Sequence, residues 1–377
     1  MEKKNILVLF GGVSPEHDIS IVSANTIIKN LSVKKYKVVP VYITKTGQWL
    51  LYDAPISELS NIDWDKFGTT AILSPDRSTK GLLRIVGEKV RTIPIDIVFP
   101  VIHGETGEDG VIQGLCRLAG LPFVGCDVAT SAICLDKSLT KIVAKQTGLP
   151  QAKYLAFSNH DLYELDENDE NSENGENGEN DEKAEKSQDA KINEIAKKIR
   201  YSLGYPCFVK PASAGSSVGI SKATNKKELI KALNFASAFS NKVVVEQAVK
   251  ARELECGVIG YGNDIKVSVV GEIVPAADFY DYDAKYNNPN SQTVVPADIP
   301  KDIAEKIQQM AKDIFIAVDG RGLARVDFFW DGSKILFNEI NTVPGFTSIS
   351  MFAMVWAASG LSLPNLLDTL IEISEQI

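Results

Sequence analysis

Two apolar runs near the C-terminus carry polar side chains at every second position. Ala324-Arg325-Val326-Asp327-Phe328 and Phe337-Asn338-Glu339-Ile340-Asn341-Thr342 alternate as β-strands do, sending successive side chains to opposite faces. Arg325 and Asp327 therefore share a face, and so do Glu339 and Asn341. The intervening Trp330-Asp331-Gly332-Ser333-Lys334 predicts a hairpin. A two-residue Asp-Gly turn would throw the two polar pairs onto opposite faces. A three-residue Asp-Gly-Ser loop instead pairs Trp330 with Lys334 and sets Arg325 opposite Glu339. Asp327 then becomes the diagonal neighbour of Glu339, roughly 7–8 Å away. This second register is the expectation.

Elsewhere the pattern alternates strands with helices. A buried strand Ile6–Phe10, a Gly11-Gly12 turn and a helix from about Asp18 precede a strand at Val38–Ile43. A strand at Ile97–Val101, a helix from about Gly110 and a short strand near Pro122–Val124 follow. This order predicts an α/β unit with a parallel sheet. Asp136 is the expected N-cap of the next helix. Beyond Ile192 come a helix to Leu203, strand Cys207–Lys210, a helix over 226–239 and strand Val243–Glu246. Strands near 254–260 and 265–272 and a loop from about 276 to 293 lead to a helix over 301–318. That helix spaces Ile303, Ile307, Met310, Ile314 and Val318 as core positions.

Composition changes the picture at one place. Residues 161–190 hold 13 Asp or Glu and 2 Lys, a charge of −11 in a chain of −9, which leaves +2 for the rest. The folded part is thus nearly neutral, with no basic stripe for nucleic acid. The acidic stretch cannot bury a core and is expected to be a disordered surface insertion. No apolar run reaches the ~18 residues of a membrane span. Five cysteines with no CxxC pair read as reduced, buried small hydrophobes of a cytoplasmic protein.

Asp327, Glu339 and Asn341 form an all-oxygen patch that repels itself unless a cation fills it. So sparse a carboxylate set suits Mg²⁺ completed by phosphates and water. Lys210-Pro211-Ala212-Ser213-Ala214-Gly215-Ser216-Ser217-Val218-Gly219 leaves a strand. It offers backbone N–H groups and a lysine to an anion; alone such a loop is more often just a turn, and the separate metal patch makes it a phosphate loop. Glu246 ends a buried strand, with Glu253 shortly after. Either can accept from an adenine amino group or a ribose hydroxyl; in isolation a rim salt bridge is the plainer reading. His103, in Ile102-His103-Gly104 to Gly110, stands at a strand end where open α/β sheets bind ligands. Phe279-Tyr280-Asp281-Tyr282-Asp283-Ala284-Lys285-Tyr286 reads as a lid bringing Lys285 to a phosphate, or as a self-packed loop.

Taken in order, Gly11-Gly12-Val13-Ser14-Pro15-Glu16-His17, His103 to Gly110, Lys210 to Gly219, Tyr282 to Tyr286, Arg325-Val326-Asp327 and Asn338 to Ser350 resemble the D-alanine–D-alanine ligases of the ATP-grasp superfamily. The resemblance covers the chain outside 161–190. It implies an ATP-grasp fold with an N-terminal α/β domain (1–125), a central subdomain (126–246) and a C-terminal subdomain (247–377). It implies ATP, two Mg²⁺ ions for which Mn²⁺ can substitute, and a homodimer. It also implies ligation of two D-alanines through an acyl phosphate. In that scheme Lys137, Lys210, Ser217 and Lys285 meet the phosphates, and Glu246 and Glu253 the nucleoside. Asp327, Glu339 and Asn341 hold metal, while Arg325 and the Gly345 N–H face the developing oxyanion. Glu16 takes the first ammonium and joins Ser216 and Tyr286 in a linking set. His103 meets substrate, and Ser350 and Met351 form the second-substrate site. Similar ligases use D-lactate or D-serine; Tyr286 and Met351 fit D-alanine better. Ile349, where many relatives carry histidine, departs from the pattern. A catalytically idle nucleotide-binding module is the competing class.

Overall fold

The computed structural model describes residues 2–53, 59–163, 177–215, 218–274, 292–347 and 349–376. The first strand, β1 (Lys4–Gly11), is buried along its length and runs parallel to β2 (Tyr36–Ile43) and, on its other side, to β7 (Ile97–Pro100). Helix α1 (His17–Asn30) provides the crossover from β1 to β2, and α3 (Val111–Ala119) leads from β7 to Phe123, which bridges Val98 in parallel. The expected parallel sheet is this three-stranded centre. An antiparallel meander, β3 (Trp49–Leu51), β4 (Thr69–Leu73), β5 (Gly81–Val86) and β6 (Lys89–Pro94), extends it to seven strands. The short helix α2 (Trp64–Phe67) sits within that meander.

Helices α4 (Val128–Leu135) and α5 (Lys137–Gln146) lead to a four-stranded antiparallel sheet ordered β10-β9-β11-β8. Its strands are β8 (Tyr154–Ser158), β9 (Cys207–Pro211), β10 (Ser221–Ala223) and β11 (Lys242–Gln247). Helices α6 (Asn159–Tyr163), α7 (Asn177–Ser202) and α8 (Lys226–Ser237) accompany it. A five-stranded antiparallel sheet follows, ordered β14-β13-β12-β15-β16, with β12 (Arg252–Tyr261), β13 (Asp264–Val274), β14 (Gln292–Val294), β15 (Gly322–Trp330) and β16 (Ile335–Asn341). Helix α9 (Lys301–Ala317) lies on it, and α10 (Met351–Ala358) and α11 (Leu363–Ser374) end the chain.

The cores do not follow the chain strictly. Cys134, Ala144 and Leu149 pack with the five-stranded sheet and α9, so α4 and α5 are rooted there. Leu366, Leu367 and Leu370 of α11 share one core with Ile6, Val8 and Phe10, joining the last helices to the first sheet. The four-stranded sheet keeps a core of its own.

Two expectations need correction. The acidic stretch is not wholly irregular: Leu162 is fully buried in the core of the four-stranded sheet, and α7 reaches back to Asn177. Once Ile192, Ile195, Ala196 and Ile199 are packed, extending the helix through Glu, Lys, Gln and Ala costs little. Residues 164–176 lie outside the described residues.

The hairpin register also differs. Trp330 pairs with Ile335 across a four-residue loop, because the Asp331 carboxylate accepts from Ser333 N (2.8 Å) and Lys334 N (2.7 Å) and so organises one residue more than expected. In that register Glu339 would oppose Val326 and face the wrong way. A β-bulge at Asn338 shifts the pairing by one, so that Asp327 lies directly opposite Glu339 and Arg325 opposite Asn341. The segment entering β8 braces this edge, Phe337 N donating to Pro150 O at 2.8 Å. Inserting an alanine between Asn338 and Glu339 adds one residue beyond the bulge. The variant is expected to keep its circular dichroism spectrum and lose at least about 100-fold in turnover, because Glu339 moves opposite Val326 and leaves the shared face.

Candidate active site

Three adjacent strands set a row of carboxylates. Glu255 on β12, Asp327 on β15 and Glu339 on β16 are direct cross-strand partners, with Gly257, Arg325 and Asn341 as the next row on the same face. Arg325 grips Asp327 with both arms (Nε 2.8 Å, Nη2 2.7 Å) and reaches Glu255 at 2.9 Å. Burial works against its charge, but Asp327 and Glu255 more than offset that and keep the guanidinium firmly protonated. Asn341 Nδ2 donates to Asp327 Oδ2 at 3.0 Å. Glu255 was not foreseen, although Glu253-Leu254-Glu255 carries the same alternation that marked Arg325 and Asp327.

This donor set fits a hard cation. All its ligating atoms are carboxylate or amide oxygens, and among the described residues no group of three His, Cys, Asp or Glu closes into a cage. Two carboxylates and an amide leave most positions to phosphate and water, as Mg²⁺ prefers.

Asp136 caps α5, its Oδ1 accepting from Ser138 N (2.9 Å) and Leu139 N (3.2 Å). The cap aims the first turn of α5 at the cleft. Lys137 N donates to Ala212 O (2.8 Å), and its ammonium donates to Ala214 O (2.9 Å) and stands 3.9 Å from Glu339. One lysine thus joins the glycine/serine loop to the carboxylate row. Lys210, at the end of β9, places its ammonium 2.7 Å from Glu246, with Glu339 and Glu253 also within electrostatic reach. Glu246 is buried between Lys210 and Lys141, each at 2.7 Å. Burial alone would raise its pKa, but the two ammoniums draw it down to about 2.

The first domain closes the other side. The Glu16 carboxylate lies so tightly against the backbone of Gly104 and Gly215 that a Cβ there would meet its oxygen at 2.9 and 2.6 Å. The glycine/serine loop therefore arrives at Glu16, as the sequence implies for its neighbour Ser216. His103 is buried, with Nδ1 3.1 Å from Val343 O, Nε2 3.1 Å from Ser23 Oγ and Glu108 at 3.7 Å. Both ring nitrogens are engaged, and His103 ties the first sheet to the stretch after β16. Desolvation raises the pKa of Glu108, and nearby Glu16 adds to that.

Ser350 receives Thr347 N at 2.9 Å and packs against Gly345, where a Cβ would meet its hydroxyl at 2.9 Å. Met351 is buried on Gly271 in the core shared with the first sheet. Ile349 is exposed. Ser216, Ser217, Lys285 and Tyr286 lie outside the described residues.

A family profile described as "D-ala D-ala ligase N-terminus" matches residues 5–126, and one described as "D-ala D-ala ligase C-terminus" matches residues 180–372. The chain belongs to the D-alanine–D-alanine ligase family. It is 42% identical to the D-alanine–D-alanine ligase of Caldicellulosiruptor bescii over 99% of its own length and 96% of that protein. Its fold matches the solved VanG D-Ala:D-Ser ligase of Enterococcus faecalis (TM-score 0.82, 35% identity, 99% and 100% of the two chains). It also matches the D-alanine–D-alanine ligase of Coxiella burnetii (TM-score 0.77, 32% identity, 100% and 95%). The ATP-grasp fold expected for the chain is the fold of these neighbours. Among the described residues no helix is long and apolar enough to cross a membrane.

The lowered pKa of Glu246 carries a pH signature. Its stabilising effect is present above the unfolded value of about 4.3 and disappears as pH falls toward about 2. Melting curves of wild type and Glu246→Gln should differ most near pH 7 and converge only as pH approaches about 2. A constant difference across that range would contradict the ion-pair reading.

Proposed function

We propose that the chain joins two D-alanines into D-alanyl-D-alanine, converting ATP to ADP and phosphate, as a step in supplying peptidoglycan. The observation that carries this reading is the Glu255–Asp327–Glu339 row lying beside Lys137 and Lys210. That face suits the polyphosphate of ATP with its cation, and it opens toward a first domain that presents Glu16. Dependence on ATP and a divalent cation comes with the family; two ions, and Mn²⁺ as a substitute, are part of this proposal. Homodimer formation is also part of it.

Phosphoryl transfer asks the protein mainly for positioning and charge neutralisation. Mg²⁺, when bound at Asp327, Glu339 and Asn341, supplies Lewis-acid neutralisation of the phosphates. Lys137 and Lys210 hold the remaining anionic oxygens. Glu16 accepts the ammonium of the first D-alanine and so aims its carboxylate at the γ-phosphorus. The amine of the second D-alanine attacks the acyl phosphate carbonyl. Arg325 and the Gly345 N–H stabilise the oxyanion before phosphate departs. Ser350 holds the second carboxylate at the start of α10, where a helix N-terminus favours negative charge. The apolar Met351 and the similarity to D-alanine–D-alanine ligases at 42% identity favour D-alanine as second substrate.

Phosphate release measured with D-alanine alone, with products identified by mass, should yield D-alanyl-D-alanine. Release only after adding D-serine or D-lactate would overturn the second-substrate assignment. Glu339→Ala should lower turnover by at least about 100-fold at millimolar Mg²⁺ while leaving the melting temperature near that of the wild type. Near-normal turnover would remove Glu339 from the metal site.

A further inference from the structure

Lys141 has no place in the scheme above, yet it is among the most buried large side chains of the molecule, 2% exposed. It sits on α5 one turn after Lys137, but on the inward side. Its ammonium lies 2.7 Å from one oxygen of Glu246 and 5.3 Å from the ring centre of Tyr154. Tyr154 is the direct cross-strand partner of Glu246. Helix α5 and strand β8 thus enclose the ammonium against the back of one carboxylate. A buried lysine is costly unless it keeps its counter-charge, so this geometry ties Lys141 to Glu246.

The two lysines on Glu246 differ in what else they can reach. The Lys210 side chain is 12% exposed and has Glu339 and Glu253 in its field, so it faces the cleft where the phosphates bind. When Lys210 turns to a phosphate, the second oxygen of Glu246 is freed toward the nucleoside. Lys141 is then the cation left to hold that carboxylate in place and charged. We propose that Lys141 is a positioning residue for base recognition: it fixes Glu246 as an acceptor for the exocyclic amino group of a 6-aminopurine, without touching the nucleotide. This rests on the reading of Glu246 as the adenine-facing carboxylate. A 6-oxopurine turns an acceptor toward that carboxylate and is refused.

The test compares ATP and ITP binding at equilibrium, without amino acid, in wild type, Lys141→Met, Lys141→Gln, Lys141→Arg and Glu246→Ala, each checked for folding by its melting curve. Wild type should prefer ATP by about ten- to a hundredfold, the worth of one hydrogen bond to a charged group. Lys141→Met and Lys141→Gln should each compress that preference at least fivefold, through weaker ATP binding. Lys141→Arg should largely restore it. ATP affinity in the two neutral variants should also depend on pH between 5 and 7, where wild type is flat, because burial no longer opposed by a fixed cation raises the pKa of Glu246. If Glu246→Ala abolishes the ATP preference while folded Lys141→Met and Lys141→Gln keep it, the Lys141 inference is wrong and the Glu246 reading stands. If Glu246→Ala keeps the preference, the Glu246 reading itself falls. Should both neutral variants fail to fold, the wild-type pH series decides: a preference lost between pH 7 and 5 overturns the proposal.

Discussion

Everything in the cleft depends on like charges placed where they repel. Glu255, Asp327 and Glu339 face the same way from three neighbouring strands, and directly opposed like charges destabilise a sheet. That cost is met from within: Arg325 lies across Asp327 and Glu255, and Lys137 approaches Glu339. In the proposed scheme a cation held by Asp327 would compete with Arg325 for that carboxylate, and Glu255 would keep the guanidinium in the cleft. The proposed arrangement at Glu246 is parallel: Lys141 would hold that carboxylate where Lys210 turns to a phosphate.

The fold supplies these charges from separate cores and then ties the cores together. Helix α5 is rooted against the five-stranded sheet, yet its capped first turn reaches the glycine/serine loop of the four-stranded one. His103 and Ser23 stitch the first sheet to the stretch after β16, with Phe346 N donating to Ser23 Oγ at 3.3 Å. Glu16 packs on Gly215. Lys137, His103 and Glu16 are therefore each held by a contact that crosses from one sheet to another.

Much of this was legible in the sequence because strand alternation and helix capping are local. The shared face of Arg325 and Asp327, the cap at Asp136, the core face of α9 and the buried β1 all follow from spacing alone. The register of the hairpin did not. A side-chain turn at Asp331 lengthened the loop, and a bulge at Asn338, braced by Pro150, restored the face that the longer loop would have lost. Bulges answer to long-range packing, which spacing does not encode. The antiparallel meander between β2 and β7 was missed because its strands are short and half-exposed. Lys141 was missed because nothing local distinguishes a buried lysine on a helix from a solvated one. Glu255 was readable from its alternation with Glu253 and was passed over.

If the carboxylate row is a cation site, as proposed, Arg325 must yield Asp327 to the ion. A crystal structure of the chain with Mg²⁺ and a non-hydrolysable ATP analogue decides this. Metal density is expected between the phosphates and Asp327 and Glu339 at about 2.0–2.1 Å, with Arg325 withdrawn from Asp327 and still paired with Glu255. Nucleotide bound with its metal elsewhere, and Arg325 still gripping Asp327 with both arms, would contradict it.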